Sequence, residues 1–432
     1  MPDRQFNVLD EPWIMVMVDD KGTTKEVGLL DLFMHAHEYR ALAGETPTQN
    51  FAILRLLLAV LQTVFSRYDA SGTRYDFESL EFDENDIPLH EVDQDDFGEY
   101  SNALLQTWDS LWKAQRFPEI VCRYLEHWRD RFDLHGETHP FYQVTPIQFE
   151  SVASASKKGD YGTPTKFRLL NGMLSESSNK LSLFTPVSER NKDVLNSAEF
   201  ARWLVTFQGY AGGSKAKLQG FKYSPSVGTL WSLGGIYFEG STLFESLMLN
   251  VTLDERESRL VETPFWENDF EQWISLFTTL QSIPTANGNQ QFSSQRPENL
   301  ASLYTWPSRL VSSHMDSAGE IRSVALPKFV QTNYFNVEPL SKWATSANSK
   351  EHEVYPRRFR PDRAMWREFG ALTNLQESNC TPRIVTWHGQ LIDKHVLAKG
   401  SVFSLVATSI AEAGQASYPG VGEIYADELR NE

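Results

Sequence analysis

Residues 51–65 read FAILRLLLAVLQTVF. Such a run is either a membrane span or a helix at the centre of a folded core. Arg55 and Gln62 interrupt it, and it falls short of the roughly 20 apolar residues needed to cross a bilayer. Ile53, Leu54, Leu57, Leu58, Leu61, Val64 and Phe65 recur with a 3.6-residue period, and Pro47-Thr48 supplies a helix start. The run therefore predicts a core helix, closed at Ser71-Gly72, around which the rest of the chain must pack.

The composition supports a large core. The chain has 432 residues, 41% of them apolar, with 12 Trp, 27 Phe and 15 Tyr, enough aromatics for both packing and contact surfaces. Its formal net charge of −17 excludes a free-standing, non-specific nucleic-acid binder, which needs a basic field. Local nucleic-acid contacts inside a larger assembly stay open. Cys122 and Cys380 form no disulfide framework or CxxC knuckle. The N-terminus, MPDRQFNVLDEPW, carries neither a basic nor an apolar signal region. These features predict a soluble, cytoplasmic protein with no membrane partner.

Outward from the core helix, residues 6–31 alternate around the turn Asp19-Asp20-Lys21-Gly22 and predict a hairpin. The charge run at 81–99 reads as a solvated loop before two helices, at 97–115 and 118–132, whose Trp108, Trp112, Tyr124 and Trp128 read as core. Residues 151–196 and 211–235 read as long irregular segments, of the kind that carry function. Asn196 and Glu199 stand at capping-box spacing before the helix FARWLVTFQGY. IYFEG predicts a strand, TLFESLMLNV a helix, and 284–303 a polar stretch of little structure. RIVTWH (383–388) predicts a strand and 401–413 a helix. Helix and strand mix without βαβ alternation, so the fold class is α+β, a large irregular mixed domain with long functional loops.

No catalytic constellation rises above background. There is no GxSxG, no GxxxxGK[ST] and no strand–GxGxxG–helix unit. His35-Ala-His37 stands as an isolated pair. Between His135 and His139, Gly136 and Pro140 break the helical face that a metal pair with Glu137 would need. No enzyme activity, cofactor or metal is expected. Two segments suit contact work. Lys215, Lys217 and Lys222 surround Gly220 and Phe221, where glycine lets a backbone approach a ligand; a plain surface loop is the alternative. Arg357, Arg358, Arg360, Arg363 and Arg367 interleave with Tyr355, Phe359 and Trp366. That pattern suits a nucleic-acid backbone or stacked bases, or else a face paired with the chain's own acids.

Several stretches together resemble the CasA family, the large subunit of the type I-E CRISPR surveillance complex Cascade. They are the opening Phe6-Asn7-Val8-Leu9-Asp10-Glu11-Pro12-Trp13-Ile14, the helix Ile53 to Ala59, His139-Pro140-Phe141, Ala198 to Leu204, Glu239 to Glu245 with Leu247 to Val251, and Arg363-Ala364-Met365-Trp366-Arg367. The resemblance implies a non-catalytic subunit that recognises the protospacer-adjacent motif in double-stranded DNA and starts strand separation. Its implied partners are the guide CRISPR RNA, target DNA, other Cascade subunits and the helicase-nuclease effector. Base pairing with the guide supplies most of the sequence information.

Carried over by position, the resemblance puts the guide-RNA handle contact at Phe184, Thr185 and Pro186, in LSLFTPVSE. The glycine loop facing the motif falls at Gly220, Phe221 and Lys222, with Gly212-Gly213 as the alternative. A minor-groove lysine falls at Lys350, with Lys342 as the alternative. The wedge falls at Gly414, Gln415 and Ala416, after a helix and before a charged helical segment, Glu423 to Leu429. Arg357, Arg358 and Arg360 are expected on the nucleic-acid backbone. The expected division is a mixed domain at 1–370 and a segment at 371–432 that carries the wedge. A C-terminal helical bundle of the family is expected to be missing or truncated.

Overall fold

The chain enters its fold as the expected hairpin. β1 (Ile14–Met17) and β2 (Thr24–Val27) pair antiparallel, Ile14 opposite Val27 and Met17 opposite Thr24. The Asp19 carboxylate organises the turn, accepting from the backbone N–H groups of Lys21 (2.9 Å) and Thr23 (3.0 Å). A computed structural model describes residues 5–430 apart from 158–159, 172–192, 215, 222, 224–226, 254–260, 280, 285–289, 314–318, 335–336, 347–352, 361, 369, 371, 373–380, 402 and 412–422. α1 (Leu29–His35) follows the hairpin, and β3 (Ala41–Leu42) joins the free edge of β1.

The 51–65 run forms α2 (Pro47–Arg67). Its N-cap Thr46 accepts the Gln49 N–H at 3.1 Å, satisfying a donor that the first turn leaves open. Every residue from Phe51 to Arg67 is buried. The apolar period therefore marks one face of a helix that is covered on all faces. It is long and apolar enough to cross a membrane, but 94% of its apolar window lies inside the protein. Its two arginines are paired with carboxylates. Arg55 makes two bonds to the Glu338 carboxylate, at 2.9 and 2.8 Å. Arg67 bonds Glu267 at 2.7 Å and the Glu262 carbonyl at 2.8 Å.

α3 (Phe97–Ala114) and α4 (Ile120–His127) follow as read, with Trp108, Tyr124 and Trp128 buried and Trp112 stacked on Trp108. α5 (Pro146–Val152) opens on a Thr145/Gln148 capping box. The segment 151–196 is less irregular than its composition suggests. It holds β4 (Ala155–Lys157), β5 (Asp160–Tyr161), β6 (Thr163–Lys166) and α6 (Phe167–Leu170). These strands are too short to show periodicity, and β6 gains its register only from a distant partner. α7 (Ser197–Tyr210) carries the predicted Asn196/Glu199 capping box.

β7 (Gly235–Glu239) and α8 (Leu243–Asn250) match IYFEG and TLFESLMLNV. α9 (Phe270–Thr278) precedes β8 (Gln281–Pro284), β9 (Gln290–Ser293) and α10 (Leu300–Thr305). The last two correct the reading of 284–303 as unstructured; α10 is buried against α2, and Asn299 caps it by accepting from the Ser302 N–H. β10 (Arg309–Ser312), β11 (Glu320–Ala325), β12 (Trp343–Thr345) and β13 (Val354–Pro356) come next.

Two elements exchange type near the C-terminus. Residues 383–388 begin a helix, α11 (Arg383–Asp393), because Ile384, Trp387, His388 and Leu391 repeat at helical spacing after Pro382. Residues 404–411 form a strand, β14 (Ser404–Ala411), and β15 (Glu423–Arg430) returns antiparallel beside it. The expected helix at 401–413 and the helical segment from Glu423 to Leu429 are both corrected. Val406, Thr408 and Ile410 are β-branched, and β14 is held on both edges.

The three-stranded sheets run β2-β1-β3, β10-β11-β6 and β15-β14-β7; β4-β5, β8-β9 and β12-β13 form two-stranded pairs. Helix and antiparallel sheet are mixed throughout, the α+β class. One hydrophobic cluster runs from Phe6 to Ala407 with α2 at its centre. A smaller one, with Tyr75, Leu80, Val92, Tyr100 and Leu104, sits under the charged 81–99 stretch.

Candidate nucleic-acid interface

β14 is longer than β7. Its residues Ser404 to Thr408 pair with Glu239 back to Gly235, whereas Ser409, Ile410 and Ala411 pair only with β15. The β14–β15 hairpin thus continues past the end of the sheet, and its connection is the stretch that holds Gly414, Gln415 and Ala416. Those three residues lie outside the described residues, but their setting is a strand-to-strand connection rather than the end of a helix.

The arginine segment lies where the hairpin leaves β7. The Ser409 hydroxyl donates to the Phe359 carbonyl at 3.4 Å, and a Cβ added at Gly234 would strike the Arg357 carbonyl. The Arg357 N–H donates to the Lys342 carbonyl at 2.9 Å, and the Lys342 N–H to Gly234 at 2.8 Å. The one-turn 3-10 helix Met365–Glu368 packs on β15. Residues far apart in sequence therefore converge at the hairpin root.

Side chains of this segment divide sharply. Arg357 is exposed and Arg358 half-buried. Arg360 is exposed and forks onto Asp362 at 2.9 and 2.6 Å, and Arg363 reaches Glu368 at 3.5 Å. Among the described residues, neither Arg357 nor Arg367 has a carboxylate partner. Phe359, read as interleaved for stacking, is 2% exposed and belongs to the core. Tyr355 and Trp366 are the exposed aromatics, at 40% and 62%, and the Arg367 guanidinium lies 5.3 Å from the Trp366 ring centre. Lys342, the alternative minor-groove lysine, is buried, paired with Glu368 and held 4.8 Å over the Phe359 ring. It is unavailable to DNA. Lys350 lies outside the described residues.

The glycine turn is a second, separate projection. Leu218 bridges to Ala153, the Gln219 N–H donates to Val152 at 2.8 Å, and the Ser154 N–H to Lys217 at 2.9 Å. The buried Tyr223 hydroxyl accepts from the Leu218 N–H at 2.7 Å and donates to the Ala325 carbonyl at 2.6 Å. Burial pushes its pKa up to about 12. At the tip Gly220 has φ +82°, and a Cβ there would meet nothing within 4 Å. The requirement for glycine is conformational, not steric. Phe221 packs partly against the core. Lys222, Lys215 and the handle residues Phe184, Thr185 and Pro186 lie outside the described residues. The alternative, Gly212, accepts from Arg309 through its carbonyl.

Sequence reading missed the link between these two features. Ala325, whose N–H donates to Ala216 at 2.9 Å, starts a segment that reaches Lys328. The Lys328 ammonium donates to Ser232 at 3.2 Å; burial first, and then the charge of Arg358, lowers its pKa to about 8. Nothing local in LPKFVQ signals that role. The histidines go to separate partners, His135 to the Ser197 hydroxyl at 3.3 Å and His139 to Arg131 at 3.1 Å. Among the described residues no group of three His, Cys, Asp or Glu side chains is placed to hold a metal.

Comparison with known proteins identifies the architecture. The family model described as CRISPR-associated protein Cse1 matches residues 7–430. A curated relative, CRISPR-associated protein CasA/Cse1 of Thermus thermophilus, is 25% identical over 379 residues. That match covers 86% of this chain, which spans 61% of the relative's length. The crystal structure of Thermobifida fusca Cse1 superposes with a TM-score of 0.70 at 26% identity, covering 99% of this chain and 74% of that one. A chain in a structure of a CRISPR RNA-guided surveillance complex shares the fold at a TM-score of 0.65 and 18% identity, covering 98% of this chain and 74% of its own. The chain belongs to the CRISPR-associated Cse1 family.

Proposed function

We propose that this chain is the large subunit of a type I-E CRISPR RNA-guided complex, and that it acts without catalysis. In this reading it recognises the protospacer-adjacent motif in double-stranded DNA, starts strand separation beside it and helps recruit the helicase-nuclease. The observation that carries the proposal is the hairpin of β14 and β15. It projects beyond its sheet beside a basic, aromatic segment, on a chain whose net charge is −17.

Each part has a physical task. Gln415, on the connection between the strands, inserts at the first base pair next to the motif; unstacking a step costs on the order of a few kcal/mol, offset by new contacts. The turn at Gly220, with Lys222 beside it, approaches the minor groove. Readout there distinguishes mainly A·T from G·C, so several motifs are accepted. Lys350 adds a minor-groove contact. Arg357, Arg358 and Arg360 follow the backbone, with Trp366 and Arg367 offering a stacking face to an unpaired base. Phe184, Thr185 and Pro186 hold the guide-RNA handle.

The test is duplex binding by the assembled complex on targets with and without the motif. Motif-dependent affinity supports the proposal. Equal affinity for both targets, with the complex intact, leaves a scaffold subunit that joins guide handle and neighbouring subunits.

A further inference from the structure

The turn at Gly220 and the β14–β15 hairpin share one support, residues 325–328, which run from the base of the first to the root of the second. At the near end, Ala325 closes the turn with both of its backbone groups. Its carbonyl accepts from the buried Tyr223 hydroxyl at 2.6 Å, and its N–H donates to Ala216 at 2.9 Å. The same hydroxyl accepts from the Leu218 N–H at 2.7 Å, and the Lys217 ammonium donates to the Tyr223 carbonyl. At the far end, the Lys328 ammonium donates to the Ser232 hydroxyl at 3.2 Å, and Gln331 donates through Nε2 to the Thr229 carbonyl at 3.0 Å. Thr229 and Ser232 bound a one-turn 3-10 helix that leads into β7, the strand on which β14 pairs. Gly234, just before β7, lies against the Arg357 carbonyl.

The strap between these ends is short and held along its length. Three peptide steps reach at most about 11 Å. Ala325 lies opposite Arg309 of β10, the Leu326 N–H donates to Ser308 at 3.0 Å, and both residues are buried. Pro327 is buried too, with φ fixed by its ring. Burial and the charge of Arg358 both oppose an ammonium at Lys328, yet it is kept there and bonded, as happens where geometry serves a site. Contacting a motif and inserting at the base pair beside it require a fixed separation between the two contact points, since a misplacement of about 1 Å can slow a reaction about a hundredfold. We infer that Tyr223 and Lys328 are positioning residues: with the strap between them they set the distance from the turn to the hairpin, so that a bound motif places the hairpin at the adjacent base pair. The inference rests on the reading of turn and hairpin as DNA contacts.

The test uses the assembled complex with Tyr223→Phe, Lys328→Met, both changes together, or Ser232→Ala, on duplexes carrying 2-aminopurine at the base pair beside the motif. At saturating DNA each single variant opens that pair about tenfold more slowly than the wild type, while affinity for a duplex without the motif is unchanged. Because both ends serve one distance, the double variant is no slower than the slower single. Ser232→Ala removes the acceptor and leaves the charge, and it matches Lys328→Met. Tyr75→Phe deletes another buried hydroxyl, bonded to Thr107 at 2.6 Å in the smaller hydrophobic cluster, and opens DNA at the wild-type rate. Unchanged opening by the single variants overturns the inference, as do effects that multiply in the double variant or an equal loss in Tyr75→Phe. Slowing by Lys328→Met but not by Ser232→Ala overturns it too, assigning the ammonium to a direct phosphate contact. A wild-type complex that opens duplexes with and without the motif alike removes the motif-reading function itself, and the inference with it.

Discussion

The Ser409 hydroxyl donates to the carbonyl of Phe359 at 3.4 Å, tying the point where the hairpin leaves its sheet to the middle of the arginine segment. Gly234 completes the joint, because its bare Cα lets the Arg357 carbonyl lie against it. Gly234→Ala is expected to destabilise the chain by roughly 1–3 kcal/mol, the cost of overpacking. It should also weaken DNA opening by the complex. Denaturant unfolding and strand-separation assays on the same variant check both; unchanged stability would show that the segment shifts freely.

Gly220 is expected to tolerate no side chain, for backbone reasons alone. At φ +82°, with open space around it, Gly220→Ala incurs roughly 1–2 kcal/mol of conformational strain. Because the base of the turn is held by Tyr223, the loss of stability should stay within that strain while motif-dependent affinity falls. Binding to motif and non-motif duplexes separates the two effects.

Much of this architecture was legible from residues 51–65 and the hairpin before them, because long periodic elements with caps announce themselves. The wedge's setting was not. SLVATSIA mixes small and β-branched residues with no period, and it becomes a strand because β7 and β15 supply partners more than 10 residues away in sequence. RIVTWH failed the opposite way: Ile384, Trp387 and Leu391 share the buried face of a helix, while Val385 and Thr386 lie off it. At the site, the basic run was visible, but the burial of Phe359 and Lys342 was not. Lys342 is paired with Glu368 and lies over the Phe359 ring, contacts that no local pattern encodes.

Trp366 is exposed and contributes little to the core, so Trp366→Ala should leave the melting temperature unchanged. Stacking is worth roughly 1–3 kcal/mol per base, so binding of the assembled complex to a pre-opened duplex should weaken about tenfold or more. Trp366→Phe should recover part of that loss. Fluorescence of a 2-aminopurine placed in the open strand reads the stacking directly.

The buried pair Arg55–Glu338 predicts a strong asymmetry. Glu338→Ala strands the guanidinium and should cost roughly 3–5 kcal/mol, whereas Arg55→Met with Glu338→Leu should recover most of it. Chemical denaturation of the single and double variants measures the difference.

His388 predicts the acid limb of stability. It is buried, its ring is stacked on Phe238 at 3.7 Å, and its Nε2 lies 2.8 Å from the Leu249 carbonyl. Burial lowers its pKa to about 4, below the roughly 6.5 of an unfolded histidine. The unfolded chain therefore binds the extra proton first. This stabilising contribution is complete above about pH 6.5 and is lost as pH falls towards 4, amounting to roughly 3 kcal/mol. Melting curves from pH 7 to pH 4 should fall less steeply for His388→Gln than for the wild type.

The most direct measurement is strand separation at a motif-bearing duplex by the assembled complex, with wild-type and Gln415→Ala chains compared at equal occupancy. The account predicts that the variant still joins the complex and still discriminates the motif, but opens the duplex at least tenfold more slowly. Equal opening by the two chains would contradict it.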